Sequence, residues 1–148
     1  MSSFTAPLTV TAVAGRPRGW RRLLPPGWQR PSWRTARAFS YAVGGLARPS
    51  AVIVVPRGFV FDGASVPLPL RAFVPAAHPD YIQAAALHDW MLADEHPRDE
   101  ADRVFAEALA VLGMPAFWRG AMYAGVRLGA AWAWLRGELR DICGGPLP

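Results

Sequence analysis

Between Asp80 and Phe105 the sequence DYIQAAALHDWMLADEHPRDEADRVF sets His88 beside Asp89 in an apolar run, then puts Asp102 among the apolar positions of the next helix-forming stretch. An ionisable side chain taken out of water without a partner is costly, so such groups are paired, metal-bound or catalytic. Neighbouring residues on a helix stand about 100° apart around its axis, so His88 and Asp89 are expected to do different jobs rather than bond each other. His88 can serve as a general base if a carboxylate orients its ring. Asp102, on an antiparallel neighbouring helix, is the candidate orienter. Asp89 is then available to a hard cation, which takes oxygen ligands. Further oxygens are expected from GFVFDGASVP, where Asp62-Gly63 marks a tight turn, Ser65 can cap or donate, and Pro67 stiffens the exit. Asp62, the backbone around Gly63 and Asp89 would together cage Ca²⁺. The same Asp62, Ser65, His88, Asp89 and Asp102 also fit a purely structural network of buried hydrogen bonds, and both readings stay open.

The elements that must position these groups follow from the apolar pattern. PLTVTAV, Pro7 to Val13, has β-branched alternation and is expected to open a sheet. FSYAV and SAVIVV are further strands, with Gly44-Gly45 as the hairpin connection between them. The pattern then turns helical: Tyr81, Ala84, Ala85, His88, Met91 and Leu92 share one face at 3.6-residue spacing. Pro97 stops that helix, and Arg98-Asp99-Glu100 supply a new first turn with acids at its N-terminus. In the second helix Ala101, Val104, Phe105, Ala108, Leu109 and Leu112 form the apolar stripe, and Asp102 lies inside or at the edge of it. Pro115 opens a third helix, in which Arg119 and Arg127 argue against membrane insertion, at roughly 2.5–3.5 kcal/mol each near a bilayer centre. The expected fold class is α+β, a small antiparallel sheet from the N-terminal half packed with three C-terminal helices.

At 148 residues the chain suits one domain. Within it, 1–38 reads as a basic Arg/Trp/Pro-rich strand and extension, 39–137 as the core and 138–148 as a flexible tail. A lone cysteine, Cys143, excludes a disulfide framework and a cysteine metal cluster. MSSFTAPLTV lacks the basic and apolar regions of a signal peptide, so the expected site of synthesis is the cytoplasm. The net charge of +5 conceals a division: residues 1–61 hold nine arginines and no Asp or Glu, and all eleven acids follow. Segment 16–37 interleaves seven arginines with Trp20, Trp28 and Trp33, a composition suited to an anionic surface, either lipid headgroups or an acidic protein, and less to nucleic acid. A bland alternative is coding bias, since the chain has no lysine among its basic residues and is rich in Ala, Arg, Gly and Pro.

VPRGFVFDGASVP, AAALHDWML, RDEADRVFAEAL and AMYAGVRLGA resemble, in order and spacing from about Phe39 to Ala130, the domain of unknown function 1353 family, small proteins encoded in tailed phages and prophages. Phe61 and Leu92 depart from it, standing where the family usually has threonine and tyrosine. The resemblance implies a phage, prophage or gene-transfer-agent setting, with virion association and phage structural proteins as partners. The His-Asp pair, the glycine-containing loop before it and the downstream Asp are also similar to the sites of phospholipase A₂ and the lipase region of parvovirus capsids. That likeness implies that His88 activates water, Asp102 orients it, Asp89 binds Ca²⁺ and Gly63 lies in the calcium loop. Leu92 stands where those enzymes carry a supporting tyrosine.

Overall fold

A computed structural model describes residues 2–13, 32–44, 47–61 and 79–128. Alternation of apolar and polar residues builds two three-stranded antiparallel sheets. In the first, β1 (Ser3–Phe4), β4 (Phe39–Val43) and β5 (Ala51–Val55) lie in the order β1-β4-β5. Phe39 pairs with Val55 and Tyr41 with Ile53, so four large side chains share the buried face. The Phe4 ring joins them, its centroid 4.7 Å from that of Tyr41 and 6.1 Å from that of Phe39. Gly44, at φ +84°, begins the β4–β5 connection, and Ser50 N–H closes it on the Val43 carbonyl at 2.8 Å. The second sheet takes β2 (Val10–Val13), β3 (Ser32–Thr35) and β6 (Val60–Phe61) in the order β2-β3-β6.

The α+β architecture is the one expected, with differences in detail. There are two small sheets rather than one. The first strand after Pro7 is confined to Val10–Val13, and β3 falls at the end of the arginine- and tryptophan-rich segment that showed no strand signal. Thr35 explains how so short a strand is held. It is fully buried, its Oγ1 donates to the Pro56 carbonyl at 2.7 Å and accepts the Phe59 N–H at 2.9 Å, and its carbonyl accepts the Gly58 N–H at 2.8 Å. One hydroxyl thus pins the 56–59 turn to β3.

Helix α1 (Pro79–Ala93) is buried more completely than a one-faced stripe predicts, because residues 81–88 are all inside. It lies between β5 and β6 on one side and α2 (Arg98–Val111) on the other, so Ile82, Ala86 and Leu87 are covered as well. Gln83 is tolerated there because its Nε2 donates to the Ala6 carbonyl at 2.8 Å. Alanines at buried positions of both helices, 84 to 86 on α1 and 101 and 108 on α2, allow a close approach. The two helices end alike. His96 N–H returns to the Met91 carbonyl at 2.9 Å past left-handed Glu95 (φ +61°), and Met114 N–H to the Leu109 carbonyl at 3.0 Å past Gly113 (φ +81°). A third helix, α3, occupies residues 116–128 and contributes Met122 and Val126 to the core. Among the described residues no helix is long and apolar enough to cross a membrane.

Candidate functional site

His88 sits one turn and a half before the end of α1 and Asp102 in the second turn of α2. The tight link at 94–97 folds the helices back on each other and brings the two side chains together. His88 Nε2 and Asp102 Oδ1 are 2.9 Å apart, within the range of a charge-assisted hydrogen bond. Asp102 has no exposed surface and His88 is 7% exposed, so the pair is a core feature. The Phe105 ring, one turn beyond Asp102, lies 5.2 Å from the imidazole centroid and fills the apolar side.

The second Asp102 oxygen is also engaged. Arg127 on α3 donates from Nη1 to Oδ2 at 3.4 Å, while its own side chain remains 54% exposed. Three helices therefore meet on one carboxylate. Sequence reasoning missed this partner. The available signal is an arginine recurring on an otherwise apolar helix.

With Nε2 committed to Asp102, the other ring nitrogen faces Asp89. His88 Nδ1 is 3.8 Å from Asp89 Oδ1, an ion-pair distance rather than a hydrogen bond. Asp89 is half-buried, and so is Trp90 beside it. The imidazole thus has a sealed edge and an edge toward the partly open side of α1. Burial alone would lower the His88 pKa, but the neighbouring Asp89 and Asp102 carboxylates outweigh it, and the group titrates above its ordinary 6.5.

The structure therefore brings His88, Asp89 and Asp102 together. Asp62, Gly63, Ser65 and Pro67 lie outside the described residues, as does Cys143. Phe61, which immediately precedes Asp62, is buried in β6, and β6 packs on α1. Among the described residues no cluster of three His, Cys, Asp or Glu side chains could hold a metal ion. Above the raised His88 pKa the described groups can hold a neutral imidazole with its proton on Nε2, toward Asp102, and a lone pair on Nδ1.

No curated protein and no solved structure matches the chain. A family match does exist, and it covers residues 33–126, which contain β3 from its second residue, β4 to β6, both paired helices and all but the last two residues of described α3. That range takes in His88, Asp89 and Asp102 and stops one residue short of Arg127. The chain belongs to the family described as protein of unknown function (DUF1353).

Proposed function

We propose that the chain is a hydrolase in which His88 is the general base, most concretely toward an ester bond of cell-envelope phospholipid. The observation that carries this reading is the division of the imidazole: Nε2 tied to a buried carboxylate at 2.9 Å, Nδ1 turned to the half-buried side. Asp102 accepts the Nε2 proton, which fixes the tautomer that leaves Nδ1 basic. A water held at Nδ1 gives up a proton to it as the oxygen attacks the ester carbonyl, and Asp102 stabilises the imidazolium that forms. Proton return to the leaving alkoxide completes the turnover. A bound Ca²⁺ would supply positive charge for the carbonyl oxygen, and Asp89, Asp62 and the backbone at Gly63 are the groups that would hold it. Segment 16–37 would dock the protein on an anionic surface. The resemblance to phage-encoded proteins supports a phage, prophage or gene-transfer-agent setting for the activity.

Calorimetric titration of Ca²⁺, Mg²⁺ and Zn²⁺ into the protein and into Asp89→Asn, together with fatty-acid release from anionic vesicles in Ca²⁺ or chelator, tests the reading. Saturable Ca²⁺ heat lost in the variant and chelator-sensitive release are expected. Absence of both removes the cation and the hydrolase together.

A second reading, a non-enzymatic virion or assembly protein, is favoured by α3. Phe117 is 75% exposed, Leu128 66% and Tyr123 37%, large apolar side chains left in water that a protein neighbour could cover. Its test is whether the protein co-purifies with particles, and a monodisperse monomer absent from them would count against it.

A further inference from the structure

The first sheet ends in an open strand. β5 is its last strand, bonded on one side to β4, and its sequence AVIVV is wholly aliphatic, without proline, glycine or charge. The direction of its backbone groups follows from that of β4. Thr5 N–H bonds the Ser40 carbonyl at 2.9 Å, so Ser40 and, two residues on, Ala42 turn their N–H and C=O groups toward β1. Phe39, Tyr41 and Val43 turn theirs toward β5, consistent with the Ser50 N–H bond to the Val43 carbonyl at 2.8 Å. By the register of the two strands, Val55, Ile53 and Ala51 answer them. The N–H and C=O groups of Val52 and Val54 are therefore directed to the far side of β5, where among the described residues no backbone group bonds to them.

The same two residues have exposed side chains. Val52 retains 53% of its surface and Val54 52%, on the sheet face opposite buried Ile53 and Val55. An edge of this kind recruits another strand, and natural sheets blunt it with a charge, a proline or a bulge, none of which lies within β5. Its geometry fixes which strand fits. Val52 and Val54 are symmetric about Ile53, so a second β5 running antiparallel, with Ile53 opposite the partner's Ile53, sets Val52 opposite the partner's Val54. Each such pair exchanges both of its hydrogen bonds, which satisfies every outward N–H and C=O of the two strands at once. The valines pack across the seam, and no charge within the strand meets its like. The pairing also closes on itself: two three-stranded sheets become one continuous sheet whose outer strands are the two-residue β1, too short to recruit a further copy.

We propose that β5 is a dimerisation edge, on which a second copy of this chain pairs antiparallel about Ile53. The inference goes beyond the hydrolase reading and stands whether or not the protein has that activity. Self-complementarity selects a second copy over an unrelated strand, because register, hydrogen bonds and side chains all match with no further residue required.

The experiment is sedimentation equilibrium of the full chain over a range of concentrations, with circular dichroism of each variant to check the fold. A reversible monomer–dimer equilibrium is expected. Val54→Pro removes an outward N–H and leaves the β4–β5 ladder its bonds. It should weaken association by roughly 25-fold or more, at about a factor of five for the hydrogen bond lost on each side of the two-fold axis. Val52→Glu with Val54→Glu sets like charges across the seam and should abolish association, whereas Val52→Glu with Val54→Lys sets unlike charges there and should restore it. That reversal depends on the antiparallel register and does not require Val54→Pro to fold. Phe117→Ser, on the exposed surface of α3, should leave association unaltered. A native chain that stays monomeric, a dimer indifferent to Val52→Glu with Val54→Glu, no recovery in Val52→Glu with Val54→Lys, or loss in Phe117→Ser would each overturn the proposal.

Discussion

Asp102→Asn removes the charge from a carboxylate that joins three helices while preserving its size and one acceptor oxygen. In the native chain Oδ1 meets His88 Nε2 at 2.9 Å with both groups inside the core. A buried hydrogen bond to a charged group contributes about 1.5–3 kcal/mol. The Arg127 contact at 3.4 Å adds less, at most about 1 kcal/mol, because the guanidinium is 54% exposed and water screens it. The substitution should therefore cost roughly 2–4 kcal/mol near neutral pH, a large share of a marginal total. Urea unfolding followed by circular dichroism measures that loss. Proton titration of His88 by NMR reports the same bond independently: with the Asp102 charge gone, burial counts for more and the His88 pKa falls. An unchanged urea midpoint, or a His88 titration that matches the native one, would show that the pair does not form and would refute the reasoning.

The raised His88 pKa also gives a sign to the pH dependence of stability. Below about pH 6.5 the imidazole is protonated both folded and unfolded, and its contribution is full. As pH rises through the higher folded value the contribution is lost, so the urea midpoint should decline on that side and His88→Phe should flatten the decline. Thr35→Val leaves the Phe59 N–H and Pro56 carbonyl without the Thr35 hydroxyl, and should cost roughly 2–3 kcal/mol in thermal unfolding, with the 56–59 turn exchanging amide hydrogens faster. The two left-handed helix ends should respond in opposite directions: Gly113→Ala destabilises by about 1 kcal/mol, whereas Glu95→Gly, relieving a side chain at φ +61°, gains about 0.5–1 kcal/mol. Equal signs for the two would contradict that account of the helix ends.

How much of this was readable beforehand depends on the range of the forces involved. Pro97 and the acids after it mark the start of α2 locally, and the strand FSYAV carries its own alternation. Both elements fall where the sequence indicates. The approach of His88 to Asp102 was also readable, because a short link forces antiparallel packing and Asp102 lies three and seven residues before Phe105 and Leu109 on the buried stripe. β3 was not. SWRT has one large apolar residue, and what makes it a strand is pairing on both sides plus the Thr35 hydroxyl, all supplied from distant segments. The depth of α1 was hidden for a related reason: alanine reads as neutral in a pattern, yet a run of small residues is what lets a helix be enclosed on every side. Arg127 reaches Asp102 across 25 residues of sequence, and no local period encodes that contact.

Whether His88 works as a base or only closes the core is decided by one comparison: fatty-acid release from anionic vesicles in Ca²⁺ by the native protein and by His88→Gln, with the unfolding free energy of each measured alongside. General-base catalysis typically contributes about 10²–10⁴-fold, so turnover should drop by at least about a hundredfold in a variant that remains folded. Turnover that survives in His88→Gln, or that never appears in the native protein while the substitution still lowers stability, would contradict it and leave His88, Asp89 and Asp102 as a structural network.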